Sequence, residues 1–419
     1  MRMLPRDPSD REFLIALALA AMLGGILGAG LVYWLRPPKA PPVAAPAPTA
    51  PQPPPAAADY TPVPFAALPG WADDSIGDIG PALRLSCTAL VAQDTQSPVG
   101  AGVAARPRGA WRAACDMLTA ATDPAALRQV LESAFEPLAV SVGGNDRGTF
   151  TGYYEATLTG DLSRSARFAV PLYGLPDDLI NVPVKDFLPP NTALGDVPAA
   201  LVGRVVDRKL APYHDRAAID GADAVADKAP VIAWVEDPVE AHILHIQGSG
   251  QVSLPDGTTI RVGFAGSNGR AFTGLGSILL AEGVLKPGQA SMIGVRDWLK
   301  ANPARAAELM NRNARYIFFR RIDGPGPIGA QGVPLTALRS LAVDPRFVPL
   351  GAPVWLDTAD PDGVPLRRLM VAQDVGAAIT GAVRGDVFWG TGAAAFDKAA
   401  RMKSPGRFFV LVPRAADGR

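Results

Sequence analysis

The chain has 419 residues, with 40 Lys and Arg set against 40 Asp and Glu, so its formal net charge is zero. That balance argues against a nucleic-acid binder, because phosphate recognition needs a basic surface that releases counterions. Hydrophobic residues make up 48% and charged residues 19%, and 43 glycines with 42 prolines fill about a fifth of the chain; the length allows two or three domains and a sizeable core.

Residues 1–12 read as a short cytoplasmic N-terminus, and residues 13–35 (FLIALALAAMLGGILGAGLVYWL) run for 23 positions without a charge. At the helical rise such a run reaches about 34 Å, enough to span the hydrocarbon core of a bilayer. Tyr33 and Trp34 close it with amphipathic rings suited to the interface. We read it as a retained transmembrane anchor, with a cleaved signal peptide as the alternative; the run exceeds the usual signal core of roughly 7–15 residues. No cysteine follows it closely to take a lipid. Arg2, Arg6 and Arg11 precede it while Arg36 and Lys39 follow, which places the N-terminus inside and the body outside. A Pro/Ala-rich linker occupies 36–74, with ten prolines between Pro37 and Pro55. Extended as polyproline II at about 3.1 Å per residue, its proline-rich part reaches roughly 65 Å.

The globular body starts near Asp59. Helical spacing dominates from 83 to 135, and Asp123 before Pro124 reads as an N-cap with a first-turn proline. Cys87 and Cys115 both lie in this helical stretch. In an exported protein they form a candidate disulfide, with two buried thiols as the alternative; a lone pair of thiols does not make a zinc site. From Gly148 onward short β-branched or aromatic runs alternate with turn residues, at 168–173, 231–235, 241–247, 258–265, 316–320, 353–356, 368–373 and 407–412. Helical interludes occur at 275–282, 291–302 and 304–315. This pattern predicts a mainly β protein with a helical cap, built from barrels rather than a layered α/β sheet.

Most familiar chemistries fail on spacing. The only histidines are His214, His242 and His245; on the expected strand, His242 and His245 point to opposite faces, which argues against a metal. Ser249 lacks the glycine two residues before it that a nucleophile elbow needs, since Gln247 stands there. The Gly-rich runs lack the Walker lysine and the dinucleotide spacing. A pepsin-like site needs two Asp-Thr/Ser-Gly turns, and neither MVAQDVGAA nor LDTA supplies one. What remains is carboxylates: Asp344, Asp374 and Asp386, each at the end of an apolar run. In a low-dielectric rim beside Phe388 and Trp389, such a group keeps its proton near neutral pH and serves as a general acid.

Six segments taken in order add specificity: FTGYYEA (150–156), WVEDPVEAHILHIQGSGQVSLPDG (234–257), RVGFAGSNGRAFTGLG (261–276), NRNARYIFFR (311–320), PIGAQGVPLTALRSLAVDPRFVPLG (327–351) and AQDVGAAITGAVRGDVFWGTG (372–392). Together they resemble the MltA family of membrane-bound lytic murein transglycosylases, whose C-terminal 3D domain is named for three aspartates. Ala156 and Ala377 depart from the usual Pro and Gly of those motifs. The resemblance implies a double-psi β-barrel domain from 75–153 and 322–419 (3D domain about 335–413), an inserted β-barrel over 154–321, and a substrate groove between them. It implies Asp386 as catalytic acid and base, Asp374 as its support and Asp344 as a structural residue. Sugar contacts would come from Thr151, Tyr153, Tyr154, Gln247, Ser249 and Asn268, with no cofactor or metal. The implied reaction is non-hydrolytic cleavage of the MurNAc-β-1,4-GlcNAc bond of peptidoglycan to 1,6-anhydroMurNAc ends; a muramidase or a non-catalytic peptidoglycan-binding protein are the alternatives. Implied partners are glycan strands, the inner membrane through the N-terminal helix, and cell-wall synthesis or division proteins, with the body in the periplasm.

Overall fold

A computed structural model describes residues 57–92, 98–100, 104–189, 198 and 200–414. The expected membrane helix (13–35) and the proline-rich run lie outside them. Among the described residues no helix is long and apolar enough to cross a membrane. The chain enters at β1 (Asp59–Pro62), and short 3-10 turns lead to α1 (Gly80–Val91), α2 (Arg108–Ala120) and α3 (Pro124–Ala134). The linker expected to reach residue 74 therefore gives way sooner. Its last part carries Leu68 and Trp71, which are buried, and Trp71 Nε1 donates to Glu132 at 2.7 Å.

Local chemistry explains the helical cap. The Asp123 side chain accepts from the Ala126 amide and Pro124 fills the first turn of α3, so a donor otherwise orphaned at the helix start is satisfied. Cys87 on α1 and Cys115 on α2 form a disulfide with a Cα separation of 5.3 Å. It closes a loop with a sequence separation of 28, which is expected to contribute about 3.5 kcal/mol by restricting the unfolded chain. Denaturant titration with and without reductant should show that loss; a change below about 1 kcal/mol would contradict it.

The strands follow as β2 (Phe135–Ser141), β3 (Gly148–Asp161), β4 (Val170–Tyr173), β5 (Ile180–Pro183), β6 (Ala200–Val206) and β7 (Lys209–Pro212). Next come α4 (Arg216–Ala222), β8 (Val231–Val235), α5 (Pro238–Gln247), β9 (Ser249–Ser253), β10 (Thr259–Ser267), α6 (Leu275–Ala281), α7 (Met292–Ala301), α8 (Pro303–Asn311) and β11 (Ile317–Ile322). The chain closes with β12 (Ser340–Val343), β13 (Pro353–Ala359), β14 (Pro365–Asp374), β15 (Arg384–Thr391), α9 (Ala393–Arg401) and β16 (Lys403–Pro413). The fold is mainly β with helices. One expected strand is corrected: 241–247 lies inside α5. Asp237 caps that helix through the Val239 and Glu240 amides, Pro238 opens it, and Gly248 ends it at φ 79°. These boundary residues outweigh the apolar content of the run.

Pairing places β3 at the centre. From β16 the ladder runs through β13, β14, β12 and β15 to β3, and β3 pairs again with β16. The second half of β3 pairs with β9 and β8 instead. Two apolar cores follow this division. One gathers Trp111, Phe135, Phe150, Trp355 and Phe408; the other gathers Tyr154, Leu158, Val252, Leu279 and Phe319. The fourteen residues of β3 thus pass from one core into the other. At Gly152 a Cβ would come within 2.6 Å of Trp389 Nε1 and 2.8 Å of the Ala399 Cα, so the missing side chain lets α9 lie against β3.

Candidate active site

Three strands bring the conspicuous carboxylates into one row. Ala342 on β12 pairs with Asp374 on β14 and with Asp386 on β15, and Asp386 pairs with Thr151 on β3. Side chains opposite one another across a ladder share a face. The two aspartates therefore flank a single small residue, two strand spacings or roughly 10 Å apart at the backbone. A bulge makes this possible. Leu341 pairs with Ala372 but Ala342 pairs with Asp374, so Gln373 is an extra residue on β14. Such a bulge re-aims the residue that follows it. Gln373 itself is fully buried, its amide donating to Ala82 O and Ser86 Oγ on α1 and its Oε1 accepting from Ser340.

Asp386 is half-buried. Thr151 Oγ1 donates to its Oδ1 at 2.5 Å, while Oδ2 has no hydrogen-bond partner among the described residues. Burial lifts its pKa from the ordinary carboxylate range to about 6; the Thr151 hydrogen bond and the Arg384 charge oppose that lift, and Asp374 adds to it. Asp374 is also raised to about 6 by burial, against amide hydrogen bonds from Ala330 and Val375 at 2.9 Å each. Tyr153 stands on the same face of β3 as Thr151, two residues on, with its ring 5.2 Å from that of Phe388. Its hydroxyl is buried beside Asp374, and burial first, then Asp374 and Asp386, pushes its pKa well up.

Asp344 behaves differently. Its carboxylate accepts from Arg346 Nη2 at 2.6 Å and from the Gly381 amide at 2.8 Å. Burial favours the neutral acid, but the Arg346 and backbone donors outweigh it and hold the pKa below the ordinary value. A carboxylate locked as an anion in a turn holds structure and has no proton to give.

The remaining sequence candidates scatter. Tyr154 faces away from Asp386, packs on Phe396 at 5.2 Å, and lines a separate cleft of about 860 Å³ with Glu240, Arg296 and Phe396. Gln247 Oε1 accepts from the Tyr154 amide at 3.0 Å, steadying the crossover of β3. Ser249 is buried at the start of β9. Asn268 is 1% exposed, donating to His214 O and Ala314 O and accepting from the Tyr316 amide, so it ties loops together. His242 and His245 are buried on α5, where a separation of three puts them on one side; His245 Nδ1 accepts from the Ile317 amide at 3.1 Å. Among the described residues no cluster of His, Cys, Asp or Glu fits a metal ion.

Two side chains not singled out from the sequence complete the site. Arg384 precedes Asp386 by two on β15, hence on the same face, and its Nη2 donates to Thr151 Oγ1 at 2.7 Å; strand alternation was the available signal. Glu155, fully buried, accepts from Arg261, from Gln251 at 2.9 Å and from Thr391 at 2.7 Å. It joins β9 and β10 to the end of β15, which fixes the two halves of β3 against each other.

Comparison with known proteins agrees with this architecture. The MltA specific insert domain matches residues 149–320, and the 3D domain matches 339–412. The crystal structure of MltA from Neisseria gonorrhoeae is 35% identical, with 86% of this chain and 94% of that chain covered at a TM-score of 0.72. A membrane-bound lytic murein transglycosylase structure from Agrobacterium tumefaciens is 29% identical, covering 85% of this chain and 98% of that one at a TM-score of 0.73. Membrane-bound lytic murein transglycosylase A of Escherichia coli K12 is 28% identical over 309 residues, 72% of this chain and 75% of that protein.

Proposed function

The chain belongs to the MltA family and is a peptidoglycan lytic transglycosylase, and from that premise we propose that Asp386 is its acid and base in turn. The observation that carries this reading is a half-buried carboxyl with a pKa of about 6, tethered through one oxygen and open at the other. Asp386 gives its proton from Oδ2 to the glycosidic oxygen between MurNAc and GlcNAc as the bond from C1 breaks. The resulting carboxylate takes the proton of the C6 hydroxyl of the same MurNAc, whose oxygen bonds to C1. A 1,6-anhydro ring closes, GlcNAc leaves with its hydroxyl, and no water is consumed. An ordinary glycosidase needs a second carboxylate for water or for a covalent intermediate. Here the nucleophile belongs to the substrate, at an effective concentration that reaches roughly 10⁵ M or more in well-oriented cases. Asp374 supports Asp386 as a neighbouring like charge, and Asp344 holds the turn behind it.

The finer architecture follows the same reading. The ladder that leaves β3 at β15 and returns to it at β16 supports a six-stranded double-psi β-barrel formed from 75–153 and 322–419. The strands fed by the second half of β3 form an inserted domain over 154–321, with the glycan groove along the face that carries Thr151 and Tyr153. The uncharged run at 13–35 and its proline-rich spacer support a periplasmic body tethered to the inner membrane.

The full chain in detergent, incubated with purified sacculi, should release muropeptides one water lighter than the corresponding reducing ends by mass spectrometry. Release of reducing-end products alone would establish a muramidase, and binding without release would establish a non-catalytic module.

A further inference from the structure

Arg384 has no acceptor of its own to offer and stays charged, yet its Nη2 lies 2.7 Å from Thr151 Oγ1. Its other amino group is held by the carbonyls of Thr149 and Gly385, so the guanidinium is anchored across β3 and β15. A threonine hydroxyl has one proton and can accept as well as donate. Arg384 supplies a donor to that oxygen, and Asp386 Oδ1, 2.5 Å away, is the one acceptor in reach of its proton among the described residues. The hydroxyl is therefore oriented in one sense only: it accepts from Arg384 and donates to Asp386.

We propose that Arg384 is a positioning residue of the transglycosylase reaction, acting through Thr151 to confine the acid proton of Asp386 to Oδ2, the oxygen left open to the glycosidic bond. The proposal rests on Asp386 being the acid. An Oδ1 that receives a hydrogen bond is the poorer place for the proton, because a carbonyl oxygen accepts more strongly than a protonated hydroxyl oxygen and the 2.5 Å bond from Thr151 would weaken. With Oδ1 occupied, the favoured form of protonated Asp386 carries its proton on Oδ2, where the leaving oxygen arrives. Without the relay the proton divides between the two oxygens and the carboxyl is free to rotate. The chain of donors also favours the first step, since the anion left as Asp386 gives up its proton receives a hydrogen bond polarised by a full positive charge.

The charged and titratable groups facing Asp386 are few. Asp374 comes from β14, the Tyr153 hydroxyl from β3, and Arg384 from its own strand; Lys403, opposite Thr151 on β16, is exposed. Of these, Arg384 is the cation that favours the carboxylate. Its removal raises the pKa of Asp386. Activity that needs the protonated acid then survives to higher pH, by about one unit, the lower end of the shift a neighbouring opposite charge produces.

The test uses the full chain in detergent on sacculi, with wild type, Arg384→Gln, Arg384→Lys, Thr151→Val and the Arg384→Gln/Thr151→Val pair, each checked for an unchanged melting curve. Arg384→Gln should lower kcat roughly tenfold at nearly constant KM and move the basic limb of the pH profile up by about one unit. Arg384→Lys, which keeps the charge but not the planar fork, should restore the limb and not the rate. In the Thr151→Val background the further loss of kcat from Arg384→Gln should shrink to less than threefold, because the route to Asp386 has already been cut. A wild-type rate and limb in Arg384→Gln, or full additivity of the two losses, overturns the relay. If wild type itself yields no anhydro product, the functional reading fails instead, so the two failures are distinguishable.

Discussion

Asp386→Asn should abolish release of anhydro products from sacculi and at the same time leave a more stable protein. The loss follows from the two roles assigned to one group. An amide neither protonates a leaving oxygen nor accepts the C6 hydroxyl proton, and general acid–base catalysis is worth about 10²–10⁴-fold. With both proton transfers removed, a loss of at least about a thousandfold is expected. The gain in stability follows from the raised pKa of about 6. A carboxyl whose folded pKa lies above its unfolded value binds its proton more tightly in the native state. That advantage is complete below about pH 4 and disappears as pH rises through about 6. At pH 7.5 wild type therefore keeps a desolvated charge that Asn does not have. Discounted for partial exposure, the difference is about 1–2 kcal/mol. Denaturant titrations at pH 7.5 and pH 4 should show the Asn variant ahead at the first and level at the second. An active variant, or one equally destabilised at both, would remove Asp386 from the role given to it.

Much of this site could be read from the chain, and the parts that could not have identifiable causes. Asp374 and Asp386 each end or interrupt an apolar run, and runs of that kind place a carboxylate at a strand end in a low-dielectric rim. Thr151 and Tyr153 alternate along β3, so their common face is implied by period-two geometry. Tyr154 defeats the same reasoning. Where β3 passes between two cores, residues 152–156 are buried on both sides, so burial no longer tells which face meets the substrate. The bulge at Gln373 leaves no mark in VAQDVG, although it decides that Asp374 joins the row with Asp386. Asn268 sits in a Gly-flanked loop that looks exposed, and only the tertiary fold brings His214, Ala314 and Tyr316 around it. At 241–247 the residues inside the segment suggested a strand, while Asp237, Pro238 and Gly248 just outside it specified a helix.

A second expected result is the mirror image of the first. Arg339→Met should cost about 3–5 kcal/mol of stability while sparing the chemistry of the molecules that remain folded. Arg339 is 1% exposed and immediately precedes β12. Its guanidinium makes a bidentate pair with Asp74, both contacts at 2.8 Å, and donates to Leu369 O at 2.7 Å as well as to Asp78. Asp74 also accepts from the Leu369 amide at 2.7 Å. Methionine fills similar space but leaves the Asp74 carboxylate buried without its cation, which is the costly way to break such a pair. Against a total stability of about 5–15 kcal/mol, that loss brings the protein close to unfolding at growth temperature. The Arg339→Met/Asp74→Leu pair should recover part of it, since an apolar replacement of both partners removes the uncompensated charge. The residues proposed for the chemistry, Asp386, Thr151 and Arg384, make no hydrogen bond or ion pair with Arg339. At low temperature, kcat per folded molecule should therefore stay within about twofold of wild type, and a loss under about 1 kcal/mol would show the pair to be dispensable. Taken with Asp386→Asn, the two outcomes separate the groups that hold β12 in place from the group beside it whose desolvated charge costs the fold stability.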